Sequence, residues 1–79
     1  MTEKFQTYIL IETAVDHTLT IQEKLSKIKD IKTVNIITGS FDIIALLEAD
    51  DAQRIGEIIL KEIRPIPGII HTLTCVVVG

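Results

Sequence analysis

The sequence predicts an α+β fold: four antiparallel strands with two helices on one face, in the chain order β-α-β-β-α-β. Three observations carry this reading. Runs rich in β-branched residues recur four times along the chain. Two of the intervals between them switch to a helical apolar period. A spacing of apolar residues also repeats, with Leu25, Ile28, Ile31 and Val34 echoed 35 positions later by Leu60, Ile63, Ile66 and Ile69, and Ile9 echoed by Ile44. At 79 residues the chain is read as a single domain, 1–79, built from two split β-α-β halves.

Each element has its own warrant. Phe5 to Thr13 (FQTYILIET) lacks Gly and Pro and reads as strand 1. From Asp16 to Ile28 the period changes, and Ile21, Leu25 and Ile28 form the stripe of an amphipathic helix. Asp16, Thr18 and Thr20 are all able to cap it, and Thr20 with Glu23 makes a capping box. Ile31 to Thr38 is strand 2. Thr38-Gly39-Ser40-Phe41-Asp42 is a tight turn in which Gly39 supplies a positive φ. Ile43 to Ala49 is strand 3. Asp50 is expected to cap the second helix, with Gln53 reaching back to it. Ile55, Ile59 and Ile63 form that helix's stripe, widened by Ile58. Arg64-Pro65 ends it, because proline disfavours helical backbone in the residue before it. Pro67-Gly68 turns the chain into strand 4, Ile69 to Val78. Together these elements form a ferredoxin-like sandwich.

A chain this short buries only about 60% of its unfolded surface on folding, so its core is marginal and needs a staple. The one cysteine, Cys75, forms no internal disulfide, and His17, His71 and Cys75 are poor material for a metal site. Oligomerisation is what remains. The mean hydropathy of +0.40 agrees. So do the strands. Phe41, Ile43, Ala45, Leu47 and Ala49 share one face of strand 3, yet the other face still carries Ile44 and Leu46 between Asp42 and Glu48. Strand 4 sets Ile70, Thr72, Thr74, Val76 and Val78 against Ile69, His71, Leu73, Cys75 and Val77. Helices cover one face only, so the second is expected to pack on the same face of another copy.

Other function classes fit poorly. The longest apolar run, Ile43 to Leu47, is far short of the ~20 residues that span a bilayer. No signal-peptide pattern opens the chain, which is read as cytoplasmic. A net charge of −3 argues against direct nucleic-acid binding. No cofactor motif is present: Gly39 stands alone, and the sheet lacks the aromatic pairs on which ferredoxin-like RNA binders stack bases. His71 and Cys75 lie on one face of a strand but about 13 Å apart, too far for one metal in one chain. The informative segment is Thr38 to Asp42. Asp42 directly precedes the apolar run of strand 3. It is either a turn-stabilising acceptor of backbone N–H groups or a carboxylate held at a sheet edge to bind a ligand amine.

Thr38-Gly39-Ser40-Phe41-Asp42-Ile43 followed by a strand, then Asp50-Asp51 opening a helix, resembles the effector-binding (RAM) domain of Lrp/AsnC transcription regulators. Ile63-Arg64-Pro65-Ile66-Pro67-Gly68-Ile69, followed by His71-Thr72-Leu73-Thr74, resembles that domain's closing helix, turn and strand. The DNA-binding half of such regulators is not recognisable in these 79 residues, so the resemblance is to the stand-alone members. It implies a ferredoxin-like fold that dimerises through its sheet, rings of dimers, mixed assemblies with full-length regulators, and a small effector, mainly an amino acid, held between dimers. Carried over position by position, the loop supplies Gly39, Phe41 and Asp42, strand 4 supplies the hydroxyls of Thr72 and Thr74, and the late part of helix 2 supplies Glu62. Some members place a second acid one turn before that last position. Here Ile58 stands there, which argues against a strongly basic effector.

The expected function is therefore regulatory binding of an amino acid by a non-enzymatic oligomer. Three alternatives stand beside it. A small dimeric ferredoxin-like enzyme, an isomerase or cofactor-free monooxygenase, needs a histidine set among acids in a cavity. An ACT-type regulatory domain usually carries a glycine where this chain has Ala14-Val15-Asp16. A structural oligomer that binds nothing is the third.

Overall fold

The computed structural model describes residues 4–79. The opening Met1–Glu3, on which the reading of a missing leader partly rests, lies outside the described residues. The order of elements is β1 (Phe5–Thr13), α1 (Thr18–Ser26), β2 (Ile31–Ile36), β3 (Ile43–Ala49), α2 (Ala52–Ile58), a π-helical turn continuing α2 (Ile59–Ile63), and β4 (Ile69–Val76). One antiparallel sheet runs β2-β3-β1-β4, the arrangement of a ferredoxin-like sandwich. No helix among the described residues is long and apolar enough to cross a membrane.

The strands pair as their side-chain alternation requires. On β1, Thr7, Ile9, Ile11 and Thr13 are buried, and their partners across the ladder are buried too: Leu47 opposite Thr7, Ala45 opposite Ile9, Ile43 opposite Ile11. Ile21 and Leu25 of α1, Ile55 and Ile58 of α2, and Ile63 close the other side of this layer. Full burial of each large apolar side chain here contributes about 1.5–3 kcal/mol against leaving it in water. The intervening residues Tyr8, Leu10, Ile44 and Leu46 face the other side, with Leu73 and Cys75 of β4 beside them. No helix among the described residues lies over that face.

The helices pack over β2, β3 and β1 and leave the outer strand β4 uncovered. Thr74 and Val76 lie opposite Ile9 and Thr7, on the helix side of the sheet, yet both are exposed.

Several expectations change in detail. α1 begins at Thr18, so Thr20 sits inside it and the Thr20–Glu23 capping box does not open the helix. Asp16 takes φ 68° in the turn before it instead of capping. For α2 the cap is Asp51, not Asp50: the Asp51 side chain accepts from the Arg54 backbone N–H at 2.9 Å. Asp50 instead pairs with Lys4 at 2.8 Å. Strands 2 and 4 end two residues early, at Ile36 and Val76, although single backbone bonds from Ile37 N–H to Asp42 and from Val77 N–H to Gln6 prolong the pairing.

The second helix departs most from an ideal stripe. Arg64 N–H reaches back five residues to the Ile59 carbonyl, so the turn is π-helical. A π turn inserts one residue relative to an α-helix. That insertion carries Ile63 into the core after Ile58 and turns Lys61 and Glu62 outward. It leaves Ile59 half-buried and Leu60 60% exposed. The 35-residue repeat is accordingly not a structural equivalence. Leu25 is buried where Leu60 is exposed, and Ile9 faces the core where Ile44 faces away. An odd offset exchanges the faces of a strand. The strands of the two halves begin 38 residues apart (Phe5 and Ile43, Ile31 and Ile69), and their helices 34 apart (Thr18 and Ala52).

Candidate functional site

Except for Glu62, the residues singled out from the sequence lie toward one end of the sheet, where β1 ends, β4 begins and the loop from β2 enters β3. Gly39 takes φ 134° with open space where a side chain would sit, so this turn requires a glycine and presents bare backbone. Asp42 is held by the end of β1. Its Oδ2 accepts the Thr13 backbone N–H at 2.8 Å and lies 3.3 Å from the Thr13 hydroxyl, which in turn shares a 2.6 Å hydrogen bond with the Thr18 hydroxyl. The Thr13 N–H needs this acceptor because it points to the β3 side of β1, beyond the last ladder pair, Ile11 with Ile43. Asp42 therefore does what a turn-stabilising acid does, with a partner 29 residues away. The other oxygen, Oδ1, accepts no hydrogen bond among the described residues. No buried side-chain N or O there lacks a partner, so Oδ1 is not sealed from solvent.

Phe41 stacks on the His71 ring, with centroids 6.1 Å apart and planes 19° from parallel. His71 lies opposite Glu12, on the face away from the helices. Phe41 thus leaves the row of Ile43, Ala45 and Leu47 in which alternation placed it, since it belongs to the loop and not to the strand.

Thr72 and Thr74 lie on the helix side of β4, opposite Ile11 and Ile9. They line an open groove of about 470 Å³ between the end of the second helix and the uncovered strand, together with Ile59, Arg64, Ile69, Ile70 and His71. His71 joins the two parts of the site, lining the groove and carrying Phe41. Glu62 stands apart from both. It is bonded to Arg54 at 3.3 Å, within a cluster in which Arg54 also meets Asp30 at 3.0 Å and Glu57 at 3.8 Å. The hydrogen bond from Arg54 to Asp30 is the main reason the guanidinium holds its proton above its ordinary range. Ile58 is fully buried in the core, so it faces no ligand and says nothing about effector charge.

Sequence reasoning passed over Arg64, read only as a helix end, and Thr13, the partner of Asp42. Arg64 had one usable signal, a cation fixed directly before the Pro65 stop. Nothing local points from Asp42 to Thr13.

The profile of the Lrp/AsnC ligand binding domain matches residues 4–79. An uncharacterized HTH-type transcriptional regulator of Pyrococcus furiosus is 32% identical over 72 residues, which are 87% of this chain and 48% of that protein. The chain thus spans about half the length of the curated relatives it matches. Among solved structures, FFRP-DM1 superposes with a TM-score of 0.90 at 27% identity, covering 94% of this chain and 99% of that one. A Neisseria meningitidis transcriptional regulator in complex with L-Met superposes with a TM-score of 0.86 at 16% identity, covering 95% of this chain and 50% of that one. Sheet order, loop and profile agree, and the chain belongs to the Lrp/AsnC ligand-binding domain family.

Proposed function

We propose that this domain senses an amino acid as an oligomer and acts on transcription through full-length regulators of its family. It binds and regulates; it does not catalyse. Membership of a ligand-binding family whose relatives are transcription regulators supports this over the small-enzyme and structural readings. The observation that carries the reading is the half-built site. Gly39, Phe41 and Asp42 belong to the loop that enters β3, Phe41 stacks on His71, and His71 also lines the open groove that contains Thr72 and Thr74. A second copy is what would close it. The uncovered face around Tyr8, Leu10, Ile44, Leu46 and Leu73 makes the dimer, and a further contact at the sheet end makes the ring.

A zwitterion needs an acceptor for its ammonium and donors for its carboxylate. Asp42 Oδ1 supplies the first, and the backbone at Gly39 with the threonine hydroxyls the second. Glu62 contributes only by giving up Arg54. The solved regulator holding L-Met makes a neutral amino acid the natural first trial.

A thermal-shift screen over the twenty amino acids, with light scattering on the same samples, tests the proposal. The expected result is a raised midpoint for a small set of neutral amino acids together with a change in assembly mass. Twenty flat curves would overturn it.

A further inference from the structure

We infer that Arg64 is the anchor for the effector's carboxylate, making the β4 groove an anion-selective half-site. The inference rests on the amino-acid reading above and adds to it a residue and a polarity.

The groove is lined by Ile59, Arg64, Ile69, Ile70, His71, Thr72 and Thr74. Arg64 is the one formally charged residue among them at neutral pH. It is exposed and takes part in no salt bridge among the described residues, whereas Arg54 meets three carboxylates. This is notable in a chain with eleven acids against eight Lys and Arg. No carboxylate among the described residues lines the groove. The nearby acids stand outside its lining: Asp42 is latched to Thr13 through Oδ2 and keeps Oδ1 free, Glu62 is held by Arg54, and Glu12, opposite His71, lies on the other face of the sheet. The groove therefore offers a guanidinium fork and two hydroxyls with nothing anionic to quench them. A planar carboxylate is the anion that matches a fork.

The backbone fixes where Arg64 stands. It caps the C-terminus of the π turn, its N–H tied to the Ile59 carbonyl at 2.9 Å, and Pro65 follows at once. The same π turn that brings Ile63 into the core thus sets the level of Arg64 against β4. The groove's polarity also gives a sound reason for rejecting a basic effector, in place of the one drawn from Ile58: a cationic side chain entering beside Arg64 would be repelled.

The test uses nuclear magnetic resonance on the labelled protein with three probes: acetate as the minimal carboxylate, L-methionine, and L-methioninamide. Acetate and L-methionine are expected to shift the amides of Thr72 and Thr74 and the Arg64 Nε–H, and L-methioninamide to leave them unmoved. R64Q should weaken acetate and L-methionine by roughly ten- to a hundredfold, the effect of losing a charge-assisted hydrogen bond. R64K should fall between, keeping the charge and losing the fork. Equal shifts from acid and amide, unchanged affinity in R64Q, or no response to acetate would each overturn the inference. Its failure is separable from that of the broader reading. An amino acid that raises the melting midpoint but perturbs only Gly39 to Asp42 removes the Arg64 anchor and leaves the sensor. Acetate shifts at Thr72 and Thr74 without any thermal response to amino acids would do the reverse.

Discussion

Leu46 and Leu47 are neighbours on β3 and lie on opposite sides of the same sheet. Leu47 is fully buried beneath the helices, opposite Thr7. Leu46 is only half-buried, opposite Tyr8, on the side no helix covers. Residue chemistry does not separate the two faces, since both rows are apolar through the middle of β1 and β3. What separates them is that two short helices are enough to cover one face and part of a second layer is missing. An apolar face left this way is what the proposed sheet-paired dimer would cover.

The sharpest test of this comparison is a matched pair of substitutions. Leu47→Ala should cost about 2–5 kcal/mol, the usual range for a buried leucine, against a total stability of about 5–15 kcal/mol for a small domain. Urea denaturation should show a large fall in midpoint at every protein concentration. Leu46→Lys should do something different in kind. The fold should persist by circular dichroism, while light scattering reports loss of the sheet-paired dimer. Should L46K keep the assembly mass of the parent, the open face is not the interface.

The same contrast explains what was legible in the sequence. Strand limits at Phe5–Thr13 and Ile43–Ala49 could be read because β-branched runs without Gly or Pro have one local solution. The sheet order followed from the order of elements. Three features had no local signature. Asp50 and Asp51 are chemically equal, and the extended backbone of Asp51, with ψ 171°, decides which one caps. The π turn depends on burying Ile63 in preference to Lys61 or Glu62, a tertiary demand that an α-helical period cannot show. That one inserted residue misplaced Ile59 and hid Arg64. Within the site, Gly39 and the two threonines were legible as residue types, but the latch of Asp42 on Thr13 was not, because it joins residues 29 positions apart.

Asp42 links the closed face to the open site, and its substitution separates its two roles. Asp42→Ala leaves the Thr13 N–H without its acceptor, and Thr13 is only 8% exposed. An unsatisfied donor of this kind costs about 1–3 kcal/mol. Asp42→Asn retains an oxygen for Thr13 and loses the charge. Denaturation should therefore show a clear loss for D42A and a smaller one for D42N, while calorimetry with the amino acid that raises the midpoint should show both weakened. If D42N binds as the parent does, the carboxylate is a latch alone, and the ammonium acceptor lies elsewhere.

The smallest expected effect lies at the opposite end of the sheet, where Asp50 and Lys4 pair in the open. The hydrogen bond from Lys4, then its charge, holds the Asp50 carboxyl below the ordinary value of 3.8, and the same bond raises Lys4 above 10.5. The signs are opposite. What Asp50 contributes is present above its ordinary range and lost as pH falls through the lowered value; what Lys4 contributes is present below 10.5 and lost as pH rises through the raised one. Both groups are exposed, so salt screens the pair and little of it reaches stability. Lys4→Met should return the Asp50 titration, followed by carboxyl resonance, toward its ordinary value, with the melting midpoint at neutral pH almost unmoved and the difference from the parent shrinking further in high salt. A large fall in midpoint would mean that this end of the sheet carries a contact beyond the pair, and the division between a latched site end and a loosely paired far end would have to be redrawn.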